Sequence, residues 1–164
     1  MFTGRIPAYP TGAAVCEVEI DPETGATEIA RYTSIDDAGQ AINPMILHGQ
    51  VHGGIAQGVG QALLEEISYS SSGQVLTGSF MDYGMPRAHG LPSFDIALAE
   101  DPTKGNPLRV KGGGEAGITP ALAVVMNAIM DALSDYGIAH MDMPATPYRV
   151  WAAIQEAMRS GATK

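Results

Sequence analysis

The sequence predicts an α+β fold: a mixed or mainly antiparallel sheet, built from hairpins, with helices packed on it. Short segments at 13–20 and 94–99 alternate between apolar and polar residues, as strands with one buried face do. In residues 120–133, apolar side chains recur instead at spacings of three and four, which indicates a helix. Because 164 residues can form one hydrophobic core, we expect a single domain over residues 1–164.

The first predicted element is a β-hairpin. Residues 13–20 form one strand, residues 21–25 supply a turn with proline early and glycine late, and residues 26–35 return as the antiparallel partner. Cys16 lies in the first strand, where we expect a buried small side chain rather than a reactive thiol. As the only cysteine, it cannot form an internal disulfide.

A glycine-rich helix is predicted next, from Pro44 to about Glu66. Asn43 can cap its first amides, and proline at the first helical position removes no hydrogen bond that the helix needs. Glycines in this stretch weaken an isolated helix by about 4–5 kcal/mol relative to alanine, so a close contact must offset that cost. We therefore expect Gly53 and Gly54 to pack closely and their replacement by leucine to be destabilising.

Residues 67–77 are predicted to form a strand, a serine-rich turn and a second strand. Residues 94–99 form a further short strand, and the prolines between residues 86 and 107 indicate irregular connections. Two hairpin-plus-helix units result from this assignment.

Two more helices complete the prediction. One runs from Pro120 to Leu133 with Thr119 as its cap, and the last begins at Thr146 and Pro147 and ends near residue 158. Four methionines are expected to fill the core, and three side chains of the last helix are expected to pack inward. These are Met126, Met130, Met141 and Met143, and Val150, Trp151 and Ile154.

The formal net charge of −9 argues against nucleic acid and anionic membranes as partners, because neither attracts an acidic surface. No leader-like or membrane-spanning apolar run occurs, so a cytoplasmic location is expected. His48 and His52 have the spacing of a helical zinc pair, but Gly49 stands where zinc peptidases have glutamate, and we expect no metal ligands. Asp36 and Asp37 are expected to be solvated turn residues.

The most informative segment is Val110–Gly117, in which Glu115 stands among four glycines just ahead of a helix. Glycine costs about 1 kcal/mol per residue in backbone order, so a simple connector has better alternatives. The absence of side chains beside Glu115 lets another group approach its carboxylate closely. We therefore interpret this segment, which we call the glycine loop, as part of a site.

The glycine loop also carries a resemblance. Together with Asn127–Leu133 and Met141–Trp151 it is similar to the C-terminal part of the molybdenum hydroxylases, the family of xanthine dehydrogenase, aldehyde oxidase and carbon monoxide dehydrogenase large subunits. Gly49–Glu66 resembles the pterin-contacting helix of that family, and Gly78–Tyr83 lies between the two blocks in the family's order. The resemblance covers only the last portion of the family's large subunit.

The resemblance implies roles for several residues. Glu115 is implied as the general base that removes the proton from a molybdenum-bound hydroxide, while the molybdenum itself is held by the pterin's sulfurs. Gln50 is implied to hydrogen-bond the pterin, and Gln57, on roughly the same helix face, is a weaker candidate. The remaining cofactor-binding candidates are Lys111, Gly112, Gly113 and Gly114. Lys111 is equally open to interpretation as a solvated charge.

The resemblance also implies partners. The molybdopterin is expected to be shared with the remainder of the large subunit, with iron–sulfur and flavin groups on other domains or subunits. A small molecule is the expected substrate: an aldehyde, an N-heterocycle or carbon monoxide. The isolated chain is expected to be inactive and able to self-associate. The alternative is a stand-alone fragment that folds and associates with other chains without catalysing a reaction.

Overall fold

The computed structural model describes residues 8–161, in which helices cover one face of a three-stranded sheet. The strands are β1 (Thr11–Ile20), β2 (Thr27–Asp37) and β3 (Asp95–Leu98), in the spatial order β1-β2-β3. The longer helices are α1 (Pro44–Leu63), α2 (Ile118–Ala132) and α3 (Pro147–Gly161). Since β2 pairs antiparallel with β1 and parallel with β3, the sheet is mixed, and the predicted α+β fold is confirmed.

The first hairpin is confirmed and is longer than predicted. A β-bulge interrupts its register between Glu17 and Val18, and it explains why Ile29 and Tyr32, three residues apart, both face the core. Cys16 packs half-buried against that core, as expected. The opposite face of the hairpin is exposed and carries Val15.

Helix α1 begins as predicted, with the Asn43 side chain accepting a hydrogen bond from the Ile46 N–H at 3.2 Å. It ends at Leu63, three residues earlier than expected. The Gly60 carbonyl accepts from the N–H groups of both Leu64 and Glu65, which closes the last turn and stops the helix.

The second predicted hairpin is wrong. Residues 67–77 contain only an isolated bridge between Tyr69 and Val75, although the turn between them forms, with Gly73 at a φ of 82°. Tyr69 and Val75 are both exposed, so this segment lacks the buried face that would hold two strands. The strand predicted at 94–99 is confirmed as β3 (Asp95–Leu98), which pairs with β2 in parallel.

Helices α2 and α3 form where expected, with differences at their ends and on their surfaces. Gly117 precedes α2 at the cap position, so Thr119 is not the cap; its hydroxyl donates instead to the Glu115 carbonyl at 2.8 Å. Val150 and Ile154 are fully buried, whereas Trp151 is 37% exposed and stacks on Tyr148. Met126 and Met141 pack against the core, but Met143 is exposed.

The glycines of α1 serve two different faces. A Cβ at Gly54 would lie 2.7 Å from the Ile118 backbone nitrogen, and one at Gly58 would collide with the Ala121 side chain, so this face packs directly on α2. A Cβ at Gly53 would meet nothing within 4 Å. The expectation of close packing is therefore confirmed for Gly54 and wrong for Gly53.

The hydrophobic core lies between the sheet and the helices. Its fully buried side chains come from β2 and all three long helices, and the largest are Tyr32, Ile55, Ile129, Leu133 and Ile154. Among the helices of residues 8–161, none has both the length and the apolar character needed to cross a membrane.

Candidate functional site

The glycine loop runs alongside the first half of α1. A Cβ at Gly113 would lie 2.7 Å from Leu47 Cδ2, and one at Gly117 would lie 2.9 Å from Val51 Cα. The absence of side chains at these two positions lets the loop backbone lie directly on the helix. Glu115, midway between them, is thereby placed beside the turn of α1 that spans residues 47–51.

Glu115 itself is exposed. Within residues 8–161 its carboxylate makes no hydrogen bond or ion pair, and a Cβ at the neighbouring Gly114 would meet nothing within 4 Å. Its backbone, in contrast, is held, because its carbonyl accepts from both the N–H (3.1 Å) and the hydroxyl (2.8 Å) of Thr119. The result is a fixed residue with an unengaged carboxylate that another group can approach.

Gln50 and Gln57 both lie on the exposed face of α1, two turns apart. Gly53 stands between them with open space above it, so this face carries two carboxamides and a bare stretch of helix. Gln50 directly precedes Val51, which contacts the glycine loop, whereas Gln57 lies farther along the helix. Gln50 is therefore next in sequence to a residue that the glycine loop contacts, and Gln57 lies two turns farther along the helix.

Lys111 begins the glycine loop but points away from a free surface. Its ammonium donates to the Asp37 carboxylate and, at 3.2 Å, to that of Asp101, and its side chain is 12% exposed. The hydrogen bond to Asp37 raises the pKa of the Lys111 ammonium above its usual value. In the structure, Lys111 is neither a solvated charge nor a partner of Glu115. A role for Lys111 in cofactor binding stays a prediction.

The expectation that Asp36 and Asp37 are solvated turn residues is wrong. They are the last two residues of β2, and only 3% and 8% of their surfaces are exposed. Asp36 accepts from the Ser34 hydroxyl at 2.8 Å. Burial alone would raise the pKa of the Asp37 carboxyl, but hydrogen bonds from Lys111, Gly39 and Asp101 lower it to about 2. Sequence reasoning missed Asp37, although an Asp-x-Gly at a strand end is a signal for an aspartate that binds its own turn.

Other candidate groups are accounted for by local contacts. His52 Nδ1 lies 2.7 Å from the His48 carbonyl oxygen, and the His52 ring packs on Phe94 with 5.6 Å between ring centroids. No group of three or more histidine, cysteine or acidic side chains that could hold a metal occurs in the described part of the chain. Burial, aided by the Glu17 carboxylate, raises the pKa of the Cys16 thiol to about 11, so this cysteine is a poor nucleophile.

The donors on this side of the molecule suit a flat, polar ligand. The carboxamide of Gln50 offers both a donor and an acceptor, as the edge of a heterocycle requires. The backbone N–H groups of Gly113, Gly114 and Glu115 make no hydrogen bond within residues 8–161, so they can donate to an anionic group. The bare backbone around them leaves room for close approach.

Comparison with known proteins places the chain in a family. The sequence matches the molybdopterin cofactor-binding domain family over residues 3–92, which include Gln50 and Gln57 but not the glycine loop. It is 40% identical over 144 residues to the nicotine 6-hydroxylase large subunit of Paenarthrobacter nicotinovorans, covering 88% of this chain and 18% of that protein. It is 36% identical over 148 residues to the carbon monoxide dehydrogenase large chain of Hydrogenophaga pseudoflava, covering 90% and 18%.

The fold agrees with the sequence comparison. A crystal structure of a Cu,Mo-CO dehydrogenase in its carbon monoxide reduced state superposes with a TM-score of 0.87 at 35% identity, over 91% of this chain and 19% of that one. The chain therefore spans less than a fifth of the length of these relatives. Since the family match extends over more than half of the sequence and the fold agrees, the chain belongs to the molybdopterin cofactor-binding domain family of the molybdenum hydroxylases.

Proposed function

We propose that this chain is the C-terminal, single-domain portion of the large subunit of a molybdenum hydroxylase, and that Glu115 is its general base. The observation that carries the proposal is the unengaged carboxylate of Glu115, held by its backbone in an uncrowded loop beside the Gln50 face of α1. A carboxylate with room around it can reach a proton on a reacting group, which a carboxylate engaged in an ion pair cannot do.

The residues present fit a molybdopterin. Gln50 would hydrogen-bond the edge of the pterin, and Gln57 would lie toward the margin of the same site. The N–H groups of Gly113, Gly114 and Glu115 would hold its anionic part, since a Cβ at Gly114 would meet nothing within 4 Å. Gly112 is the third glycine of this run, but its N–H already donates to the Ala8 carbonyl. When bound, the cofactor supplies the two-electron oxidation of the substrate.

Glu115 supplies the proton transfer in this scheme. Hydroxylation of a substrate carbon consumes one water and releases two protons and two electrons. A carboxylate oxygen of Glu115 takes a proton from the oxygen nucleophile as it attacks, which contributes about 10²- to 10⁴-fold in rate. The glycines keep other side chains from occupying the space through which the substrate approaches.

The substrate and partners follow from the same proposal. An aldehyde, an N-heterocycle or carbon monoxide is the substrate class, and two of the relatives are named for nicotine and carbon monoxide. Iron–sulfur and flavin groups on other domains or subunits would accept the electrons. The remainder of the large subunit would enclose the other side of the cofactor, because a ligand site buries most of its ligand and an open helix face covers only one side.

The test is Glu115→Gln in the complete enzyme that contains this chain. Glutamine keeps the size and local packing, but its amide cannot accept a proton at neutral pH, so turnover should fall by at least about 10²-fold. Molybdenum content and substrate binding should change little, as measured by elemental analysis and by the substrate concentration dependence of the rate.

Glu156→Gln, an exposed glutamate of α3, is the matched control and should retain full turnover. A Glu115→Gln enzyme with its full complement of molybdenum that turns over within a few-fold of the parent would contradict the proposed role. It would favour the alternative in which the chain folds and associates without contributing a catalytic group.

A further inference from the structure

The ion pair between Asp37 and Lys111 joins two segments that are 74 positions apart, the end of β2 and the start of the glycine loop. The two side chains are only 10% and 12% exposed. Asp37 also accepts from the N–H groups of Gly39 at 2.8 Å and Asp101 at 3.0 Å. The Asp37 carboxylate therefore makes hydrogen bonds to the turn after β2, to the segment after β3 and to the start of the glycine loop.

Lys111 is held through its backbone as well as its side chain. Its N–H donates to the Ala38 carbonyl at 2.8 Å, and the Gln40 N–H donates to the Arg109 carbonyl at 3.0 Å. Gly39 allows this approach, because its φ is 71° and a Cβ there would lie 2.6 Å from the Arg109 carbonyl oxygen. The start of the glycine loop is thus fixed on the end of β2.

The far end of the loop is fixed by Gly117 against Val51. Between these two anchors stand Gly113 and Gly114, whose N–H groups make no hydrogen bond within residues 8–161. Gly113 packs on Leu47, and the Glu115 carbonyl accepts two hydrogen bonds from Thr119. Because glycine adds conformational freedom, the direction of the Glu115 carboxylate depends on these contacts together with the two anchors at the ends of the loop. One of those anchors is a charge pair that a substitution can remove without touching the loop's own sequence.

We propose that Asp37 is a positioning residue that aims Glu115 by holding Lys111 at the start of the glycine loop. This inference rests on the proposed role of Glu115 as the base. It assigns the Lys111 ammonium to Asp37 and not to the cofactor. Removal of Lys111 leaves the buried Asp37 carboxylate without its cationic partner, and removal of Asp37 leaves the Lys111 ammonium with only the exposed Asp101 carboxylate. The remaining charge is then poorly compensated, and its relief moves the start of the loop.

The test compares Asp37→Asn and Lys111→Met in the complete enzyme. Both should lower kcat by about 10- to 100-fold, the effect of misplacing a reacting group by an ångström, with KM and molybdenum content near those of the parent. Hydrogen exchange of the residue 111 and Gly112 amides, which donate to the carbonyls of Ala38 and Ala8, should rise in both variants while that of α1 stays unchanged. The double variant should be no slower than either single one, because both substitutions remove the same contact.

Asp101→Asn is the matched control. Asp101 also contacts Lys111, but its side chain is 86% exposed, and its N–H to Asp37 is retained in the variant, so kcat should remain within about twofold. Should both the Asn and the Met variant fail to assemble or to load cofactor, Asp37→Glu and Lys111→Arg decide. Both keep the ion pair but change its length, and each should lower kcat in the loaded enzyme.

Two results would overturn the inference. One is loss of molybdenum from Lys111→Met alone while Asp37→Asn remains fully loaded, since Lys111 then serves the cofactor. The other is kcat within about twofold of the parent in the loaded variants that decide the test. Failure of the proposed function can be distinguished from failure of this inference. The proposed function fails if a Glu115→Gln enzyme with its full complement of molybdenum still turns over, whatever the Asp37 and Lys111 variants do.

Discussion

Glu115 and Asp37 both carry a carboxylate, but the first is exposed and the second is buried. This difference determines what each carboxylate can do. Glu115 is exposed, and its carboxylate has no partner within residues 8–161. Asp37 is buried and accepts from Lys111, Gly39 and Asp101. A carboxylate with several hydrogen-bond donors is stabilised as an anion and resists protonation, whereas an unengaged one is available to accept a proton.

The stability contribution of Asp37 should depend on pH with a definite sign. Its pKa is lowered to about 2 in the folded chain, against about 3.9 for an unfolded aspartate. The contribution is therefore complete above about pH 4 and is lost as the pH falls toward 2. The raised pKa of Lys111 keeps the pair charged to high pH, so no loss is expected near neutrality.

We expect Asp37→Asn to lower the free energy of unfolding by a constant amount at neutral pH, and that deficit to shrink as the pH falls below about 4. Urea unfolding of both proteins across a pH series measures this difference. Asp101→Asn should show a much smaller deficit, because its carboxylate is exposed. A deficit for Asp37→Asn that grows in acid would show that the carboxylate is not the stabilised form.

At the scale of elements, the sequence predicted the secondary structure that depends on interactions between residues close in the chain. The first hairpin, the asparagine cap of α1 and the spacing of apolar residues in α2 all depend on residues close in sequence, and each is present. The strands expected in residues 67–77 are absent, because a short strand needs a neighbouring strand and a buried face, and this segment has only one bridge and exposed apolar side chains.

The residues of the candidate site also differ in whether the sequence alone could reveal them. The glycine loop and the carboxamide of Gln50 are visible in the sequence because their signals are local composition and resemblance. The partnership of Asp37 and Lys111 is not, because it joins residues that only the parallel pairing of β2 and β3 and the following segment bring together. Likewise, nothing in the sequence distinguishes Gly53 from Gly54, since the position of α2 alone decides which one is covered.

The two glycines provide a matched pair for a test of α1 packing. Gly54→Ala should destabilise the chain, because its Cβ would lie 2.7 Å from the Ile118 backbone nitrogen; overpacking of this kind costs about 1–3 kcal/mol, and the gain in helix propensity of about 1 kcal/mol offsets only part of it. Gly53→Ala should stabilise the chain by up to about 1 kcal/mol, since nothing obstructs its Cβ.

Free energies of unfolding from urea titrations followed by circular dichroism measure both variants. Equal stabilisation by the two substitutions would mean that α1 and α2 do not approach at Gly54. Equal destabilisation would mean that something covers the Gly53 face in solution, which for the isolated chain requires a second copy.

At the scale of the whole molecule, the chain exposes surface that a larger protein would cover. It spans less than a fifth of the length of its relatives. Phe80 and Met81 are 85% and 95% exposed and line one open cavity beside α1, while Met45 is exposed at the start of that helix. Large apolar side chains that are this exposed mark places where other chains or segments can bind.

We therefore expect the isolated chain to self-associate, because burial of apolar surface gains about 25 cal/mol per Å² and no segment within residues 8–161 covers Phe80 and Met81. Sedimentation velocity over a range of protein concentrations measures this as an average mass that rises with concentration.

Phe80→Ser combined with Met81→Ser should weaken the association without changing the free energy of unfolding, since both side chains project into solvent. Leu108→Ser, an exposed apolar residue outside that cavity, serves as the control and should leave the association unchanged. A chain that remains monomeric at high concentration would show that these side chains do not drive association, and that the chain tolerates its exposed apolar surface without a partner.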